Sequence, residues 1–142
     1  MDRVMRTPTH LNPRRQENES ARLWYAARMG LSDWSDRIVI AELTDEPLFS
    51  EDMDALNERL ERTPDAQTPD VILDMRNVRR LNSSNIAQLI RIRKKMVHAG
   101  KRLRVCSVGD NVWSVLLTTN LDGLFTFNDD VATALASLQI EE

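Results

Sequence analysis

The stretch that decides the fold is Val71–Val108, VILDMRNVRRLNSSNIAQLIRIRKKMVHAGKRLRVCSV. It opens on Val71-Ile72-Leu73-Asp74-Met75, a short apolar run of the kind a strand shows when both faces of its sheet are covered. A polar connection, Arg76–Arg80, leads to Leu81-Asn82-Ser83-Ser84-Asn85. Asn and Ser favour helix starts because their side-chain oxygens accept from first-turn N–H groups that have no helical partner. Beyond them Ile86, Leu89, Ile90, Met96 and Val97 predict one apolar helix face, with Gln88, Arg91, Lys94, Lys95 and His98 mostly on the other. Gly100 supplies the left-handed residue that ends such a helix. Leu103–Val108 alternates and reads as the next strand. Strand, helix, strand in that order is a parallel crossover unit.

Upstream, Ser50 reads as an N-cap, with Glu51 and Asp52 placing negative charge in the first turn. Met53, Leu56 and Leu60 follow at helical spacing, and Pro64 stops the helix. Arg37–Leu43 reads as a strand with Ile38, Ile40 and Ala41 inward, and Ala21–Met29 as its antiparallel partner across a turn at Gly30–Asp33. Downstream, Gly109-Asp110 opens a helix bearing Val112, Val115 and Leu116. Phe125-Thr126-Phe127 forms a short strand, and Asn128 or Asp129 caps a last helix with Val131, Ala134, Leu135 and Leu138 inward. The expected fold is α/β, with a mixed, mostly parallel sheet of about five strands, four helices and an N-terminal β-hairpin. Residues 1–20 are polar and without periodicity and read as a flexible tail, leaving 21–142 as the domain.

Composition narrows the function. A length of 142 residues fits one domain that needs no disulfide or metal staple, and 42% apolar residues suit a globular core. The net charge of -3 argues against a nucleic-acid coat. Arg91, Arg93, Lys94, Lys95, Lys101, Arg102 and Arg104 make a basic cluster, but no aromatic row interleaves it. It reads as a solvated face, able to meet an acidic protein. The lone Cys106 points to a reducing compartment and a buried, inert thiol. No leader and no run long enough to span a bilayer is seen, so a soluble cytoplasmic protein is expected, with no membrane insertion. His10 and His98 have no ligand-spaced neighbours, so neither a metal nor a cofactor is expected. No nucleophile–base–acid set or phosphate-binding Gly loop is present, which points away from an enzyme.

In open α/β sheets function gathers at the carboxyl ends of the strands. There the Asn82–Asn85 corner opens a helix, where a phosphate is tolerated because free N–H groups and the dipole favour negative charge. Capping alone also accounts for these residues. Trp113 lies beside the Val112/Val115/Leu116 stripe, as an edge-of-core side chain or as a partner anchor.

The run from Val71 to Phe125 resembles the central part of a STAS domain. That family includes bacterial anti-sigma factor antagonists and the cytoplasmic domains of sulfate transporters. Its pattern is an apolar strand ending in Asp, a loop, Asp-Ser-Ser/Thr-Gly opening a helix, a closing Gly, a strand, and a helix with Gly-Leu near its end. Here these positions hold Asp74, Asn82-Ser83-Ser84-Asn85, Gly100, Leu103–Val108 and Asn120-Leu121. The resemblance implies a protein-binding module that captures a serine kinase acting as anti-sigma factor and is released when its serine is phosphorylated. By position that serine is Ser83, with Ser84 second, and Asn82, Ser83, Ser84, Asn85, Gln88 and Trp113 are the candidate partner contacts. Asn82 in place of Asp removes a charge, and Asn85 in place of Gly adds a side chain where a partner would approach. An unphosphorylated STAS scaffold, or a subunit of a signalling or transporter assembly, is the alternative. A small-ligand sensor or enzyme using the strand-end crevice is a third reading.

Overall fold

A computed structural model of the chain describes residues 31–35 and 37–140. The predicted tail 1–20 and the predicted strand Ala21–Met29 lie outside them. In chain order the elements are β1 (Leu31–Ser35), β2 (Ile38–Thr44), α1 (Leu48–Glu61), a 3-10 turn at Asp65–Gln67, β3 (Asp70–Asn77), α2 (Ser83–Ala99), β4 (Leu103–Cys106), α3 (Asp110–Thr118), β5 (Thr126–Asn128) and α4 (Val131–Ile140). The sheet order is β1-β2-β3-β4-β5. β1 is antiparallel to β2, and every later pair is parallel. The expected α/β architecture, with five strands and four helices, is therefore present.

The alternation of each strand divides the core into two layers. Val39, Ala41 and Leu43 of β2, Val71, Leu73 and Met75 of β3, and Val105 of β4 face one side. There they meet Phe49, Met53, Leu56 and Leu60 of α1, Leu89, Ile92 and Met96 of α2, and Val112 and Leu116 of α3. Ile38, Ile72 and Cys106 face the other side and are covered by Ala134 and Leu138 of α4. Both faces of β3 are thus covered, which is why Val71, Ile72 and Leu73 are apolar in succession. Three helices on one face leave their N-termini, and the loops before them, at the carboxyl ends of β2, β3 and β4.

Several local expectations are corrected. The turn placed at Gly30–Asp33 is strand from Leu31 onward: Leu31 pairs with Ala41 and Asp33 with Val39. Ladder bonds override the turn preference of Ser and Asp. In β2 the inward set on the three-helix face is Val39, Ala41 and Leu43, whereas Ile38 faces α4 and Ile40 is only partly buried. Helix α1 starts at Leu48, so Ser50 lies inside its first turn and is not the cap. β4 ends at Cys106 because Ser107 takes a left-handed φ of 61°. The acceptor at the start of α4 is Asp130, whose Oδ1 takes the N–H of Thr133 at 2.8 Å, and not Asn128 or Asp129.

Two helix ends share one device. After α2, Gly100 stands at φ 70°, its N–H bonds to Val97 O, and Lys101 N–H reaches Met96 O. After α3, Asn120 stands at φ 60°, its N–H bonds to Leu117 O, and Leu121 N–H reaches Leu116 O at 2.8 Å. Both are Schellman closures, which need a left-handed residue. Asn is the side-chain-bearing residue that tolerates this conformation best, so Asn120 stands in for a glycine.

Candidate partner-binding site

The loops after β2 and β3 meet beside the start of α2. Asn82 is the N-cap, with extended backbone (φ -102°, ψ 178°). Its Oδ1 accepts the Asn85 N–H at 2.8 Å, and its own N–H donates to Asn85 Oδ1 at 3.0 Å. This is a reciprocal capping box, satisfying two backbone donors at once. The second amide nitrogen of Asn85 donates to Glu46 Oε2 at 2.8 Å. Glu46 also accepts the Ser50 N–H at 2.9 Å and the Ser50 hydroxyl. The Ser50 hydroxyl and then its N–H, with smaller help from Asn85 and Asn82, hold the Glu46 carboxyl below its ordinary range. One carboxylate therefore ties the starts of α1 and α2 together. Beside it Asp45 Oδ1 accepts the N–H groups of Arg79 (2.8 Å) and Arg80 (3.2 Å), pinning the β3–α2 loop. The two loops enclose a cleft of about 520 Å³ lined by Asp45, Glu46, Arg79, Arg80, Leu81 and Asn82.

Ser83 and Ser84 are exposed. Neither hydroxyl bonds to another described residue. The first turn of α2 holds no acidic residue of its own, and the carboxylate that meets this positive end is Glu46, through Asn85. Asn82 is also exposed. Asn85 is not: it is 1% exposed and its amide is spent on Asn82 and Glu46. Its expected roles, as a partner contact and as an obstruction to approach, are corrected; the side chain points inward and leaves the outer surface clear. Gln88 is half-buried against α1, with Nε2 3.0 Å from Asp54 Oδ1 and 3.4 Å from Ser50 O. Trp113 is 36% exposed, and its ring meets Phe127 edge-on at 5.0 Å. That contact is to β5, two strands away from the β3 that leads into α2. The structure thus gathers Asn82, Ser83, Ser84 and Asn85 at one corner, sets Gln88 one turn below, and anchors Trp113 on a different strand.

Asp45 and Glu46 escaped the sequence reading. Their bonds to Arg79, Arg80 and Asn85 cross more than thirty residues of chain, beyond any local rule. The one local signal is an acidic residue four positions before Ser50, at the mouth of a helix. Other chemistry at the strand ends is sparse. Burial, and then the charge of Asp74, push the Cys106 thiol up to about 11, so it stays protonated at neutral pH. Among the described residues no group of three His, Cys, Asp or Glu side chains could hold a metal ion.

A family model of the STAS domain matches residues 35–134, well over half of the chain. The chain belongs to the STAS domain family. Solved structures agree on the fold. An anti-sigma-factor antagonist (STAS) domain protein from Planctomyces limnophilus superposes with a TM-score of 0.65 at 16% identity, covering 77% of this chain and 96% of that one. A protein of Thermotoga maritima named as a candidate anti-sigma factor antagonist gives 0.61 at 18%, covering 77% and 92%. A sulfate transporter family protein from Wolinella succinogenes gives 0.60 at 25%, covering 74% and 88%. No curated protein matches the sequence. In this STAS domain Ser83 and Ser84 occupy the exposed corner, while Asn82 and Asn85 bond to each other.

Proposed function

We propose that this STAS domain is a regulatory binding module of the anti-sigma-factor-antagonist type, working by gripping a kinase-type anti-sigma factor and not by catalysing a reaction. The observation that carries the reading is the exposed, unbonded Ser83 hydroxyl on a corner whose backbone is held rigid by the Asn82–Asn85 box. A rigid corner presents a fixed shape to a partner, which limits the ordering cost of association. A phosphate on Ser83 would change that surface by up to two negative charges and leave the core untouched. Ser84 is the second modification candidate. Asn82 supplies the cap that the family's Asp supplies, without its charge. No helix among the described residues is long and apolar enough to cross a membrane.

A second reading has its own support. The likeness to a sulfate transporter family protein, together with the uncharged cap, fits a STAS scaffold or subunit that is never phosphorylated. Affinity capture of the tagged full chain from its native cell, with mass spectrometry of the peptide bearing Ser83 and Ser84, separates the two. A co-purifying serine kinase and a phosphate on Ser83 are expected. A stoichiometric large assembly with unmodified serines would replace the first reading with the second.

A further inference from the structure

Helix α2 carries more apolar side chains than its buried face uses. Leu89, Ile92 and Met96 fill the core. Ile86 and Ile90 pack against the core as expected but stay partly exposed, whereas Val97, expected on the same face, is 63% exposed. Ser83, Ile86, Ile90, Arg93 and Val97 recur at spacings of three and four, so they form one stripe along the helix. The stripe runs on the flank away from α1. The α1 side is marked by Gln88, Arg91 and Lys95, which reach Asp54 (3.0 Å), Glu61 (2.6 Å) and Asp65 (2.9 Å). Arg93 instead sends its Nε to the Leu124 carbonyl at 2.7 Å, in the loop between α3 and β5. Where the stripe ends, a depression of about 240 Å³ opens between Val97, Lys101, Leu124 and Phe125, with Leu124 39% exposed. From Ser83 to Val97 the stripe is about 21 Å long at 1.5 Å per residue, close to four helical turns.

Charge on this flank is one-sided. α2 contains no Asp or Glu. The cations on its α1 side are matched by carboxylates, but Arg93, Lys94 and Lys101 form no ion pair with any described residue. These three cations, unpaired among the described residues, border the stripe on a chain whose net charge is -3.

We infer that this flank of α2 receives an acidic amphipathic helix of the partner protein. Its apolar side chains rest on Ile86, Ile90 and Val97, and its carboxylates meet Arg93, Lys94 and Lys101, the helix-in-groove mode of recognition. The inference rests on the reading of the Ser83 corner as a partner site, because Ser83 is the first residue of the stripe. It also accounts for the direction of the switch: a phosphate there sets negative charge against a negative ligand, so modification releases the partner.

The test uses the full chain carrying a photo-cross-linking residue at Val97 or, separately, at Ser84, expressed in the native cell, with the cross-linked peptides sequenced. Both positions are expected to capture the same protein, Val97 through a peptide with Asp and Glu along one helical face. Lys94→Glu with Lys101→Glu should lower capture from Val97 about tenfold without moving the thermal midpoint. Capture from Ser84 alone overturns the inference and leaves the corner reading standing. So does capture from Val97 of an acid-poor peptide or of a second copy of this chain, or capture indifferent to the charge reversals. Capture from neither position overturns both.

Discussion

Replacing Asn85 with Asp exchanges one NH2 group for an oxygen and reverses the sign of a buried contact. In the native chain the Asn85 amide donates to Glu46 Oε2 at 2.8 Å, and a hydrogen bond to a charged group contributes about 1.5–3 kcal/mol. In Asn85→Asp the capping-box acceptor survives, but two carboxylates face each other at that distance. Coulomb's law with an effective dielectric of 20 puts their repulsion at about 6 kcal/mol. Glu46 is exposed and can swing into water, which relieves most of this but abandons its bonds to Ser50. A net loss of about 3 kcal/mol at pH 7 is expected, comparable to severing a buried polar contact. The loss should shrink toward pH 4. The new carboxyl has its folded pKa raised, so its penalty applies above that pKa and vanishes below it as the pair comes to share a proton. Asn85→Ala, which removes the contact without adding charge, should cost about 2 kcal/mol with much weaker pH dependence. Urea unfolding of the three proteins at pH 7 and pH 4 reads both numbers. Asn85→Asp as stable as wild type at pH 7 would refute the Glu46 bridge and with it the rigid corner.

Other consequences follow from single side chains. Burial, and then the charge of Glu51, push the Asp52 carboxyl up to about 6, and the residue is 7% exposed. Its folded pKa lies above the unfolded value, so its contribution is complete below about pH 4 and is lost as pH rises through 6. Asp52→Asn should therefore stabilise the domain at pH 7.5 by about 1–2 kcal/mol, discounted from the full shift because the carboxyl keeps some water. It should do little at pH 4; a pH series of urea midpoints checks both arms, and a destabilised variant at pH 7.5 would contradict the assignment. Asn120→Ala should cost about 1 kcal/mol by putting Ala in a left-handed closure, whereas Asn120→Gly should stay within about 0.5 kcal/mol of wild type. Thermal unfolding measures the pair, and equal losses would mean that the φ of Asn120 carries no strain.

Much of the fold can be read along the chain, because the parallel half of the sheet announces itself. Val71, Ile72, Leu73 and Met75 are apolar since α4 covers one face of β3 and α1 and α2 the other. Gly100 marks the end of α2 by a conformation that few other residues adopt. Reading fails where long-range partners decide. Leu31–Asp33 has turn-forming residues and is strand only because β2 pairs with it. Ser50 looks like a cap, yet Glu46 reaches its N–H first. On α2, six apolar positions exceed what one face can bury, and the sequence alone does not say that Ile92 goes inward while Val97 stays out. At the site, Asn82 as cap is visible from its type and place. The inward aim of Asn85 depends on Glu46, 39 residues away.

The proposed switch puts the charge at Ser83 in control of partner binding. Isothermal titration of the captured partner with wild type and with Ser83→Glu measures it directly. A phosphate-like charge at the mouth of the interface should weaken binding by one to two orders of magnitude, about 1.4–2.7 kcal/mol, with the Ser83→Ala variant binding like wild type. Equal affinity for all three proteins would contradict the account.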